Sequence, residues 1–277
     1  MGTPASVTAL LDSYDGVLLD AYGVLNDAAA AMPGAAELMA ELARRGMPHL
    51  VVTNDASRLP ATVAARLRRF GVAVRDDAVL TSGMLLDGWF AARGLAGARC
   101  VVLGTDDSRT YVERAGGIVA PLDGSGDVDV IAVGDDDGFP FLEGINAALT
   151  SACRALDAGR RLALVLPNPD LIFPAGGGAF GFTSGAIALL LEAALERRYP
   201  ERALAFEKLG KPHTPLFEEA IARLGTRRLL MVGDQLETDI AGARAAGLDA
   251  ALLISGVSRR RADLAPELAP TFVVDRL

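Results

Sequence analysis

Only two cysteines, Cys100 and Cys153, and two histidines, His49 and His213, occur in the 277 residues, and none of them has the spacing of a Cys/His metal site. Both cysteines sit in apolar surroundings, so disulfides are not expected to build this protein. No apolar run approaches the ~20 residues that cross a bilayer. The N-terminus lacks the basic and apolar regions of a secretory signal, which makes the cytoplasm the expected compartment. Positive charge is also scarce, with 27 Lys and Arg against 35 Asp and Glu for a net −8. That field repels phosphate backbones and anionic membranes, so neither nucleic acid nor membrane is expected as a partner. The arginine doublets at 44–45, 68–69 and 160–161 and the run Arg259–Arg261 read as solvated helix ends. Met1-Gly2 with Ser6 fits a myristoylation pattern too short to carry weight.

What is abundant is apolar residue, 51% of the chain, enough to build a large core. The opening segment alternates short apolar runs with helical periodicity: Val17 to Asp20, then Pro33 to Arg45 stopped by Gly46, then His49 to Thr53, then Leu59 to Phe70 ending at Gly71, then Val79 to Thr81. The pattern restarts with Cys100 to Leu103, Ser108 to Ala115, Val128 to Val133, Phe141 to Ala158 and Arg161 to Leu166. Pro167 to Gly181 reads as a long Pro/Gly-rich loop, Ser184 to Arg198 as a helix, Leu204 to Phe206 as a short strand and Pro215 to Leu224 as a helix. The end repeats the opening: Leu229 to Val232, Asp239 to Ala246, Ala250 to Ile254 and an edge strand at Thr271 to Val274. Alternating strands and helices imply an α/β fold, a doubly wound parallel sheet with its ligand loops at the carboxyl ends of the strands.

Four of those ends carry chemistry. Leu18-Leu19-Asp20 delivers one carboxylate from a buried strand into a turn eased by Gly23. An ionised acid there is costly unless a cation compensates it, although an Asp capping the next turn is the plainer alternative. Val51-Val52-Thr53-Asn54-Asp55 ends a second strand in hydroxyl and amide groups that suit an oxyanion or, equally, a helix cap. Lys211 lies in Leu209-Gly210-Lys211-Pro212, where glycine permits close approach. Met231-Val232-Gly233-Asp234 is a strand followed by two acids, Asp234 and Asp239, whose oxygens suit a hard cation.

In this order and strand context the four signals resemble the haloacid dehalogenase superfamily, whose motifs are an Asp nucleophile, a Ser or Thr, a Lys and an acidic pair. Gly-Lys-Pro at 210–212, Gly-Asp-x-x-x-Thr-Asp at 233–239 and Asn168-Pro169-Asp170 look like its class IIA branch of sugar-phosphate and nitrophenyl phosphatases. The resemblance implies hydrolysis of a small phosphorylated metabolite. Asp20 attacks phosphorus, Mg²⁺ neutralises the developing charge, Thr53 and the Asn54 amide hold a phosphoryl oxygen, and Lys211 bridges nucleophile and phosphate. It also implies Asp234 as a direct metal ligand, Asp239 acting through water or by orienting Lys211, and the Tyr22 carbonyl completing the metal's protein ligands. A Rossmann-like core at 1–85 and 205–277 with an inserted α/β cap at 86–204 is expected, because Thr53 and Lys211 stand more than 150 residues apart yet must meet one phosphate. Asn168, Pro169 and Asp170, with the loop to Gly181, are then expected at the cap's substrate entrance, and a homodimer is carried as the expected assembly.

One position departs from the phosphatase pattern. Two residues after the nucleophile the family's phosphatases carry a second Asp as general acid and base, where this chain has Tyr22. A phenol, with a pKa of ~10 in water, is a poor base near neutrality. Asp27 is the candidate substitute, with a turn cap as its plainer role. Asp-x-Tyr-Gly also resembles the metal-free haloacid dehalogenases, which leaves 2-haloacid hydrolysis as the alternative chemistry and a phosphate-binding protein with little turnover as a third reading. Gly176-x-Gly178-x-x-Gly181 fits a dinucleotide-binding pattern but is cut off from its strand by the segment Pro167 to Pro174. His49 reads as structural, and His213 as a pocket candidate beside Gly-Lys-Pro.

Overall fold

Four consecutive residues, Gly16-Val17-Leu18-Leu19, are buried on both faces, as a strand must be when helices cover both sides of a parallel sheet. A computed structural model shows how the rest of the chain assembles around it, and describes residues 6–176, 178–254 and 265–277. The Arg259–Arg261 run and Met1-Gly2 lie outside the described residues.

In chain order the strands are β1 (Gly16–Leu19), β2 (His49–Thr53), β3 (Val79–Thr81), β4 (Arg99–Leu103), β5 (Ile118–Val119), β6 (Val130–Val133), β7 (Ala163–Leu166), β8 (Ile172–Gly176), β9 (Ala179–Phe182), β10 (Glu207–Lys208), β11 (Leu229–Gly233), β12 (Asp249–Leu253) and β13 (Phe272–Val274). The α-helices are α1 (Ala35–Arg45), α2 (Pro60–Arg69), α3 (Leu86–Arg93), α4 (Asp106–Arg114), α5 (Phe141–Asp157), α6 (Ser184–Arg198), α7 (Pro215–Leu224) and α8 (Ala241–Ala245). They divide between two units: residues 1–53, 60–80 and 211–277 in the first, and 54–59 with 81–210 in the second. The breaks fall at 80/81 and 210/211 instead of 85/86 and 204/205, and the short segment after β2 groups with the second unit.

The first unit holds a six-stranded sheet in the order β13-β12-β11-β1-β2-β3. β1 pairs in parallel with β11 on one side and β2 on the other, with Leu19 opposite both Val232 and Val51. The winding reverses at β1, so the crevice for a ligand opens beyond the carboxyl ends of β1, β2 and β11. Alternate residues Val17, Leu19, Val51, Leu230 and Val232 enter one core with Leu38 and Leu42 of α1 and Leu67 of α2.

The second unit repeats the layering with a five-stranded parallel sheet, β10-β7-β6-β4-β5. Val101, Leu103, Ile131 and Val133 face α5 and α6, while Cys100, Val102, Val130 and Ala132 face α3 and α4. β8 and β9 form a separate antiparallel pair.

Three local expectations are corrected. The segment 167–181 is no plain loop: it contains β8 and most of β9, which pair antiparallel, and this also removes the dinucleotide reading because Gly181 lies within β9. Leu204 to Phe206 is not the strand, because Leu204 and Phe206 pack into the core and the Phe206 N–H is held by Glu192 Oε1 at 2.6 Å; the ladder begins at Glu207. The helix expected from Asp239 starts instead as a wide π turn over Leu236–Ile240 before α8. No helix among the described residues is long and apolar enough to cross a membrane.

Candidate active site

Asp20 follows β1 directly, and its N–H donates to the Val232 carbonyl of β11 at 2.9 Å. Asp234 follows β11 one residue beyond Gly233, and Thr53 ends β2. Parallel pairing of these three strands therefore brings a carboxylate, a second carboxylate and a hydroxyl to one end of the sheet. Lys211 joins them, its Nζ donating to Asp20 Oδ1 at 2.5 Å, Asp239 Oδ1 at 2.6 Å and the Val52 carbonyl at 3.3 Å. All of these side chains are buried.

The loop from Asp234 to Asp239 closes on itself. Asp239 Oδ2 accepts the N–H groups of Asp234 at 3.2 Å and Gln235 at 3.1 Å, while its Oδ1 holds Lys211. The π turn adds the room that folds this carboxylate back, a widening often found at functional sites. Gly233 is required for it, because a Cβ there would stand 2.2 Å from Asp239 Cβ. Both oxygens of Asp239 are thus engaged, Oδ1 by Lys211 and Oδ2 by the Asp234 and Gln235 amides.

Asp234 is the opposite case. Both of its carboxylate oxygens are buried and have no hydrogen-bond partner. Burial, followed by the charges of Asp20 and Asp239, pushes its carboxyl up to about 8. Asp20 is raised to about 7, chiefly by burial and against the pull of Lys211. Lys211 is itself lifted above the ordinary lysine range, because Asp20 and Asp239 outweigh its desolvation. An orphaned buried carboxylate is expensive unless a ligand completes it. Oxygens of Asp20, Asp234 and Asp239 lie within 4.8 Å of one another, the donor set of a hard divalent cation, so the residues present fit such an ion.

Tyr22 is half-buried beside this cluster, and its backbone bridges to Asn26. Asp27, weighed as a substitute acid or a turn cap, has the geometry of the cap. It is exposed and accepts the N–H groups of Ala29 at 2.7 Å and Ala30 at 2.8 Å, which holds its carboxyl below the usual range; it caps a turn. His49 opens β2 with Nδ1 3.0 Å from the Met47 carbonyl, and His213 is exposed.

The remaining expected residues meet each other in the second unit. Asn54 Nδ2 donates to Asp170 Oδ1 at 3.1 Å, Asn168 Oδ1 accepts the Asp170 N–H at 3.0 Å across Pro169, and the Asp170 carbonyl accepts Gly185 N–H at the start of α6. Gly210 packs against this group, since a Cβ would lie 2.5 Å from both Asn54 Oδ1 and the Pro167 carbonyl. The Asn54–Asp170 bond and the Val52 carbonyl were not foreseen, because neither a side-chain pairing 116 residues apart nor a backbone acceptor leaves a local sequence signal.

With this geometry in place, comparison with known proteins is direct. The haloacid dehalogenase-like hydrolase family matches residues 17–117 and a HAD-hydrolase-like family matches 208–277. Human chronophin is 33% identical over 267 residues, covering 92% of this chain and 86% of its own. The structure of a possible sugar phosphatase from Cytophaga hutchinsonii aligns with TM-score 0.83 at 27% identity over 99% of this chain and 98% of its own. That of a glycerol phosphate phosphatase from Mycobacterium tuberculosis in complex with magnesium aligns with TM-score 0.80 at 27% identity, covering 95% of this chain and 76% of its own. The chain belongs to the haloacid dehalogenase-like hydrolases, in their class IIA phosphatase branch.

Proposed function

We propose that this hydrolase cleaves small phosphate monoesters, with Asp20 as nucleophile and Mg²⁺ as its divalent metal. The orphaned Asp234 carboxylate carries the reading, because a metal-free dehalogenase handling an anionic substrate has no use for a third buried acid.

Asp20 and Asp234, with the Tyr22 carbonyl, are the residues assigned to hold the metal. When bound, Mg²⁺ supplies positive charge against the phosphoryl oxygens. Lys211 pulls Asp20 toward its ionised form against the effect of burial and anchors one oxygen, leaving the carboxylate directed at phosphorus. Asp20 attacks, the ester oxygen leaves, and an aspartyl phosphate forms on the chain. Thr53 and the Asn54 amide bind phosphoryl oxygens, and Asp239 holds Lys211 in place throughout.

Tyr22 supplies no base, so the leaving oxygen must carry its own negative charge or take a proton from solvent. Aryl and acyl phosphates are therefore the preferred substrate class, and alkyl phosphates the slow ones. The second unit is assigned the selection of the leaving group through Asn168, Pro169 and Asp170. Hydrolysis of p-nitrophenyl phosphate tests the reading: it is expected with Mg²⁺, lost on chelation and absent in Asp20→Asn. Halide release from a 2-haloacid without metal would replace it with the dehalogenase alternative.

A further inference from the structure

Residues 54–59 belong to no helix or strand, yet Asn54, Ala56 and Ser57 are buried. Buried backbone outside regular structure must find its hydrogen bonds elsewhere. Here side chains of the second unit, to which this strap belongs, supply them. Ser82 Oγ donates to the Asn54 carbonyl at 2.8 Å, Ser108 Oγ to the Ala56 carbonyl at 2.9 Å, and Thr105 Oγ1 to the Ser57 carbonyl at 2.7 Å. The Tyr111 hydroxyl donates to the Arg58 carbonyl at 2.7 Å. Its single proton is then spent, so Thr81 Oγ1, 2.6 Å away, donates to it. The Leu59 N–H donates to Asp107 Oδ2 at 2.8 Å. Asn54 is held a second time, through its side chain, by Asp170 at 3.1 Å.

The place of the strap in this unit is informative. β4 pairs with β5 on one side and β6 on the other, so the winding reverses between β4 and β6. A doubly wound sheet takes its ligand beyond the carboxyl ends of two such strands. Gly104 and Gly134 follow β4 and β6 directly, and Cβ atoms added there would stand 2.7 Å and 2.8 Å from Ser108 Oγ. The same Cβ on Gly134 would lie 3.6 Å from the Ala56 carbonyl oxygen. The strap thus occupies the crevice in which a free-standing α/β domain would hold a ligand. We propose that the second unit binds 54–59 in that way and by its grip sets the Asn54 amide for the phosphoryl group, with Ser82, Thr105, Ser108 and Tyr111 as positioning residues. The inference rests on the phosphatase reading, in which Thr53 and that amide hold phosphoryl oxygens. Such donors act by being fixed before charge develops, and a misplacement of about 1 Å costs up to ~10²-fold in rate. Thr53 is fixed within β2, whereas Asn54 lies one residue beyond it and is held at its carbonyl and side chain by the second unit. Every ester brings the same phosphoryl group to this amide, so the grip acts on all substrates alike.

The test is steady-state kinetics of the full chain with Mg²⁺ on p-nitrophenyl phosphate and acetyl phosphate, with inorganic phosphate as competitive inhibitor. Ser108→Ala and Tyr111→Phe each remove one oxygen that holds the strap. Thr110→Val is the control, because the Thr110 hydroxyl donates at 3.0 Å to the Asp106 carbonyl of its own helix. Far-UV circular dichroism checks the folding of each. Ser108→Ala and Tyr111→Phe are each expected to raise KM and the inhibition constant of phosphate at least threefold, by the same factor for both esters, and Thr110→Val to leave both constants unchanged. A loosened fold alone lowers the active fraction, and so kcat, without moving either constant. Hydrogen exchange on wild type needs no variant: the Ser57 and Leu59 amides, bonded to Asp55 and Asp107, are expected to exchange as slowly as those of α4. Phosphate inhibition unchanged in both variants, a loss confined to one ester, or free exchange at Ser57 and Leu59 overturns the inference while wild-type hydrolysis leaves the phosphatase reading standing. A wild type that hydrolyses neither ester with Mg²⁺ overturns that reading and the inference with it.

Discussion

Gly23 and Asp234 occupy the same space in alternation: a Cβ on Gly23 would stand 2.3 Å from Asp234 Oδ2, and the Gly23 backbone at φ +94° is already where side chains are disfavoured. The turn after the nucleophile is therefore closed over the orphaned carboxylate by the lack of a side chain. Gly23→Ala is expected to displace Asp234, to weaken metal activation of turnover at least tenfold and to cost ~1–2 kcal/mol in backbone strain. Metal titration of activity, alongside urea denaturation, measures both.

Metal binding and pH are linked through the same carboxylate. An unfolded Asp titrates near ~3.9, whereas burial holds Asp234 up at about 8 and Asp20 at about 7. The folded state keeps protons that the unfolded chain has lost. Stability from these groups is therefore complete below about pH 4 and falls as pH rises through 7 to 8. A divalent cation takes the place of those protons. The gain in Tm on saturating with MgCl₂ is expected to be near zero at about pH 5 and ~3–5 °C at about pH 8. Asp234→Asn is expected to raise the metal-free Tm at pH 8 and to abolish the MgCl₂ increment. An increment that is the same at both pH values contradicts the assignment.

Lys211 separates two acids that would otherwise face each other in the core. Lys211→Met leaves Asp20 and Asp239 without their cation, and breaking such a buried network costs ~3–5 kcal/mol. Turnover is expected to fall below detection, and the loss of stability, read by urea denaturation, is expected to shrink at low pH as the carboxyls protonate.

Tyr22→Asp restores an acid two residues beyond the nucleophile. General acid–base help is worth ~10²–10⁴-fold, so alkyl phosphate turnover is expected to rise by at least tenfold and aryl phosphate turnover by less. Equal or no gain on both substrates places the missing acid elsewhere.

Asp20, Thr53 and Asp234 stood out in the sequence because each follows or ends a buried apolar strand, where an acid or hydroxyl has no packing reason to be, whereas Lys211 stood out only through Gly210 and Pro212 beside it. The parallel sheet was legible for a related reason: strands buried on both faces read as continuous apolar stretches. What escaped was long-range or geometric. Asp27 looked like a substitute acid because sequence shows an acid near the nucleophile but not the Ala29 and Ala30 amides that bind it. The hairpin hid in a Pro/Gly-rich stretch because both its faces are apolar, so it lacks the alternation of a half-buried strand. The π turn before α8 was invisible because Asp239 is as acceptable in a helix as in the folded-back loop it adopts.

The central claim is that Asp20 carries the phosphoryl group, and acid-quenched turnover followed by peptide mass spectrometry tests it most directly. The account predicts a transient phosphoryl mass on the peptide containing Asp20, formed only with Mg²⁺ and absent in Asp20→Asn together with all turnover. Phosphate release that persists in Asp20→Asn, or a phosphoryl group found on another residue, would contradict it.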